Sequence, residues 1–143
     1  MKGTPRGLTK KQAATDPNAT DPRLRGRTYA IPFENVWQAS ISLSGGGMRG
    51  WSIASADDQS GIIVAVVRSA IFGLEDDVRI EVGLDEDAQT RVDLQAVSRG
   101  ERGDLGRTRR VVDRFIRRLD RRLDASPGQI LDPTRPPAWH RDA

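Results

Sequence analysis

The sequence predicts a two-layer α+β domain, an antiparallel sheet of about five strands with two helices on one face. Three observations carry that expectation. Two segments alternate apolar and polar residues with a period of two, which is the mark of half-buried strands. Two others place apolar residues at helical spacing. Turn-forming residues separate these segments in the order β-α-β-β-β-β-α.

The first strand is read over Arg27-Thr28-Tyr29-Ala30-Ile31, and Pro32 then opens a helix, where its missing N–H costs nothing. Phe33, Val36, Trp37, Ser40, Ile41 and Ser44 fall on helical spacing. Val36, Trp37, Ile41 and the nearby Leu43 supply its buried stripe, and Gly45-Gly46-Gly47 stops it. Trp51-Ser52-Ile53-Ala54 is a second strand, turned at Asp57–Gly61 into the nearly continuous apolar run Ile62–Val67. Val78, Ile80, Val82 and Leu84 alternate with polar residues or glycine, as do Val92, Leu94 and Ala96, and Asp85–Ala88 is the hairpin turn between them. That acidic turn lacks the ligand spacing of a calcium loop, and no metal is expected there. In the last helix, capped by Asp104, one stripe holds Leu105, Val112, Phe115, Ile116, Leu119 and Leu123. Burying these six gives a gross term on the order of 10 kcal/mol, enough to hold the helix to the sheet. The other face is arginine: Arg107, Arg110, Arg114, Arg117, Arg118, Arg121 and Arg122, only partly balanced by Asp113 and Asp120.

Three regions follow. Residues 1–26 read as a flexible basic tail, residues 27–125 as the folded domain, and residues 126–143 as a Pro-rich tail biased toward extended geometry. The second tail carries Trp139, an aromatic suited to anchoring a partner or latching onto the domain.

The absence of cysteine excludes disulfides, thiolate nucleophiles and Cys-ligated metals. No signal peptide or anchor is expected, because no apolar run follows the charged start and the longest one, Ile62–Val67, is far short of the roughly 20 residues that span a bilayer. A cytoplasmic location is expected, with attachment at the periphery of the inner membrane as a finer expectation. Net charge is only +3, but basic residues concentrate in the first tail and on the last helix. His140, the sole histidine, has no serine, aspartate or metal-ligating partner in sequence, and the triple glycine lacks the Lys-Ser or Lys-Thr of a phosphate loop. No catalytic residue, cofactor or metal is expected.

Phe33-Glu34-Asn35-Val36-Trp37, Gly50-Trp51, Asp76-Asp77-Val78, Thr90-Arg91-Val92-Asp93, Ser98-Arg99 and Asp104-Leu105-Gly106 together resemble the bacterial domain of unknown function (DUF) 1499 family, over about Arg27 to Leu123. The resemblance implies a small α+β domain, often found in membrane-associated proteins, with no established activity. Ala96 stands where the family usually has the first serine of Ser-x-Ser-Arg, and Thr108 where it has asparagine, so a ligand role of those polar groups is in doubt here. The first half also resembles, more loosely, the helix-grip architecture of bacterial envelope assembly proteins.

Folding the hairpin at Asp85–Ala88 brings Asp76 and Asp77 opposite Ser98 and Arg99, with Asp104 a few residues on. This polar cluster is the candidate binding site. Its bland reading is mutual bracing, with Arg99 bridging Asp76 or Asp77 and Asp104 capping the helix; the alternative is an anion pocket of Arg99, Arg102 and the helix start. Asp76 and Asp77 point to opposite faces, which disfavours paired-carboxylate chemistry. The candidate partner contacts are Lys10, Lys11, Arg23, Arg25, Arg114, Arg118, Arg121 and Trp139. The function expected first is therefore a non-catalytic accessory subunit, docked by its tails onto a larger assembly at a membrane surface. A small anionic-ligand module that uses the Arg99 end or the gap between helix and sheet is the alternative. Nucleic-acid binding ranks third, since the arginine face lacks interleaved aromatics.

Overall fold

The computed structural model describes residues 12–70, 73–99 and 105–132. Its core is a meander of four antiparallel strands: β3 (Trp51–Asp57), β4 (Ile62–Arg68), β5 (Glu75–Leu84) and β6 (Thr90–Ser98). Three short strands complete the sheet: β1 (Gln12–Ala14), β2 (Arg27–Tyr29) and β7 (Ile130–Leu131). The order is β3-β4-β5-β6-β2-β7, and β1 shares the free edge of β6 with β2. Helices α1 (Phe33–Ser42) and α2 (Leu105–Arg122) complete a two-layer α+β fold, as expected.

Alternation decides which side each strand residue faces. Val78, Ile80 and Val82 of β5 are buried, as are Val92, Leu94 and Ala96 of β6. The run Ile62–Val67 also alternates: Ile63, Ala65 and Val67 are buried, whereas Ile62, Val64 and Val66 lie half-buried on the outer face. On α1 the buried positions are Val36, Trp37, Ala39 and Ser40, followed by Leu43 in the wider turn that ends at the glycines. Ile41 is only partly buried. Val112, Phe115, Ile116 and Leu119 of α2 are buried in the expected stripe, Leu123 packs against its edge, and Thr108 holds the buried position one turn earlier. Phe115 stacks on Trp51 with ring centroids 5.3 Å apart, tying α2 to the start of β3.

The sheet has seven strands where about five were expected, and the extra two come from segments read as tails. Gln12–Ala14 pairs with Gln95–Val97, and Ala13 is fully buried. Asp21 accepts a hydrogen bond from the Arg23 amide and starts a single 3-10 turn, Pro22–Leu24, which drives Leu24 into the core at 2 % exposure. Ile130–Leu131 pairs with Thr28–Tyr29. Strands of two or three residues are too short to show a period, and their stability comes from edges that longer strands leave open. The folded unit therefore reaches beyond residues 27–125 at both ends.

Candidate functional site

The expected polar cluster is divided by the sheet. Asp76 pairs in register with Ser98, as anticipated, and both face inward at 1 % and 3 % exposure. Arg107, from the first turn of α2, donates from Nη2 to Asp76 Oδ1 and to Ser98 Oγ, each at 2.8 Å. Arg107 belongs to the arginine set expected to face solvent, yet its guanidinium turns inward, because a carboxylate this deeply buried requires a charged partner. Asp77 and Arg99 occupy the outer face. Arg99 donates to Asp77 at 2.8 Å and to Glu75 at 2.7 Å, and its amide bonds the Glu75 carbonyl. The hydrogen bonds from Arg99 to Asp77 raise its pKa above the ordinary value, so the pair is a surface brace. Five residues expected as one site are thus two separate groups of two, while Asp104 lies outside the described residues.

A second arginine group lines a cleft between α2 and the sheet, one of the two places expected for a ligand, with Arg49 and Arg68 as lining residues that were not expected. Along α2, Arg107, Arg110, Arg114 and Arg118 follow one helix face. Across from them stand Arg49, in the turn after α1, and Arg68, at the end of β4. The space between has a volume of about 500 Å³, within the range of small-molecule sites. Met48, Trp51, Val67 and Val111 form its apolar floor. The wall is shaped by Gly50, whose φ of +86° admits a glycine without strain and where a Cβ would collide with the Arg68 carbonyl. The Arg68 amide bonds the Gly50 carbonyl at 2.8 Å, which fixes the two arginine-bearing turns side by side.

The charges in this cleft are poorly compensated. Asp76 is the one carboxylate among its described lining residues, and Arg107 holds it. Arg49, Arg68, Arg110 and Arg114 make no ion pair with any described carboxylate. Arg118 donates to the Gly47 carbonyl at 3.3 Å. Elsewhere on α2, Arg109 approaches Asp21 at 3.5 Å and Arg117 meets Asp113 at 3.0 Å, whereas Arg121 and Arg122 in the last turn are exposed. Asp120 accepts from Arg27 and from the hydroxyl of Tyr29, both at 2.6 Å.

The remaining candidate contacts scatter. Arg23 folds back on Asp21 at 3.0 Å, and Arg25 donates to the carbonyls of Ala19 and Thr20. Arg121 is exposed in the last turn of α2, away from the cleft lining. Lys10, Lys11, Arg102, Trp139 and His140 lie outside the described residues. The arginine row on α2 was legible from its spacing, whereas Arg49 and Arg68 carried no local signal, since only the meander brings those two turns to the helix.

The family described as protein of unknown function (DUF1499) matches residues 4–119. The chain belongs to that family. The match starts well before Arg27, in keeping with a folded unit that includes β1. No curated protein matches the chain. Ala96 and Thr108, the two positions read from the sequence as departures from the family pattern, are fully buried, so neither borders solvent in this structure.

Proposed function

We propose that this protein is a recognition module whose arginine-lined cleft takes an anionic group. One observation carries the reading: four guanidiniums without a described carboxylate partner, drawn from three separate parts of the chain, surround one concave space. Arginine stays charged at any physiological pH, and its planar fork suits carboxylate and phosphate oxygens. Positions one turn apart on a helix are about 6 Å apart, and like charges at that separation repel by roughly 1–3 kcal/mol per pair at surface dielectric values. A bound anion offsets that repulsion. An excess of one sign in a cleft with an apolar floor also concentrates oppositely charged ligands.

The expectation of an anionic-ligand module is kept, and of its two expected places the cleft under α2 is favoured over the Arg99 end. Docking through extended tails has less support, since residues 12–26 and 126–132 contribute strands to the domain itself. Attachment at a membrane surface stays a proposal of lower rank; among the described residues no helix is long and apolar enough to cross a membrane.

Titration calorimetry with sodium tripolyphosphate at low ionic strength tests the reading. Binding should weaken as salt rises, because exposed charges are screened. It should vanish in the double variant Arg110→Glu/Arg114→Glu and persist in Arg99→Ala, whose side chain lies on the other face of the sheet. Absence of heat at low salt with folded wild-type protein would refute it.

A further inference from the structure

Resting on that reading, the geometry points to the class of anion: we propose that the cleft binds an extended acidic peptide segment with a carboxylate at every second residue. The ligand side of the cleft is a row. Arg110, Arg114 and Arg118 succeed one another by four residues on α2, a rise of about 6 Å each. Alternate side chains of an extended strand point the same way at intervals of about 6.4–6.8 Å. Over two steps the two rows diverge by only about 1–1.6 Å, a mismatch that long arginine side chains absorb. Arg49 and Arg68 on the facing wall can donate to backbone carbonyls of the segment.

Size and chemistry narrow the occupant further. A helix with its side chains is about 10–12 Å across, so two turns fill roughly 1,000 Å³, twice the cleft. An extended segment of a few residues fits. Single-stranded nucleic acid is a poorer match, because such sites stack bases on exposed aromatic faces. Among the described residues the one aromatic lining this cleft, Trp51, is 6 % exposed and already stacked on Phe115. The half-buried Val111 instead suits the methylene groups of a glutamate side chain.

Fluorescence anisotropy with two end-labelled peptides of identical composition tests this. In one, glutamate alternates with serine; in the other, the glutamates form one block. The alternating peptide should bind several-fold tighter, and Arg110→Glu/Arg114→Glu should weaken it at least about tenfold per lost contact while circular dichroism and melting stay those of a folded protein. Equal affinity for the two peptides would overturn the spacing. Tripolyphosphate binding without peptide binding would overturn the peptide and leave the anion cleft standing; no binding of either would remove both. Tighter binding of a single-stranded oligonucleotide than of the alternating peptide would also overturn the proposal.

Discussion

Tyr29 is the one tyrosine in the chain, which makes its ionisation directly measurable. It is fully buried on β2, and its hydroxyl donates to Asp120 of α2 at 2.6 Å, while Arg27 grips the same carboxylate with two N–H groups. Burial, reinforced by the neighbouring Asp120 carboxylate, pushes the Tyr29 pKa far above its ordinary value. A group whose folded pKa is raised contributes stability that is complete below the unfolded pKa and declines as pH climbs past it. The decline should therefore begin near pH 10 and run at about 1.4 kcal/mol per pH unit, because only the unfolded chain releases the proton. By pH 11.5 the loss reaches roughly 2 kcal/mol. Tyr29→Phe removes this dependence. It also deletes a hydrogen bond to a charged acceptor, for a cost of about 1.5–3 kcal/mol at neutral pH. Absorbance at 295 nm during an alkaline titration, followed together with far-ultraviolet circular dichroism, is the assay. Tyrosinate should appear only as the protein unfolds. A titration step centred near pH 10 with the dichroism unchanged would refute the buried Tyr29–Asp120 contact.

Four further outcomes follow from the geometry. Arg107→Met strips one charged partner from Asp76 at 1 % exposure and should cost about 3 kcal/mol or more in denaturant unfolding, with part restored in Arg107→Met/Asp76→Asn. Leu24→Ala should cost about 2–5 kcal/mol, the value for a core leucine, whereas a neutral result would show that the segment before Gly26 is not part of the fold. Arg23 hydrogen-bonds to Asp21 and lowers its pKa, so the stability that Asp21 contributes is present above the ordinary carboxylate range and is lost as pH falls through the depressed value; melting scans below pH 4 should show a steeper acid loss than in Asp21→Asn. Arg99→Ala, on an exposed brace, should leave the melting temperature nearly unchanged, and a large drop would contradict its surface placement.

The meander and both helices were legible because their periods repeat over enough residues to be seen. Val78, Ile80 and Val82 announce one face, and Val112, Phe115, Ile116 and Leu119 announce another. The pairing of Asp76 with Ser98 was likewise written in the sequence, since the hairpin turn at Asp85–Ala88 sets the register of everything below it. Alternation put Asp76 and Asp77 on opposite faces but left Arg99 able to bridge either; that Arg107 would be the partner of Asp76 was not legible, because the approach of a helix is not encoded in strand spacing.

What the residue order determined by itself was thus local: periods, turns, the arginine row of α2 and the absence of cysteine. Tertiary structure alone decided that Gln12–Ala14 and Ile130–Leu131 close the sheet, and that Arg49 and Arg68 stand across a cleft from Arg110 and Arg114. The reason is range. A period is a property of neighbouring residues, whereas an open strand edge, or a wall of charge assembled from three separate parts of the chain, exists only once the chain has brought distant segments within reach of one another.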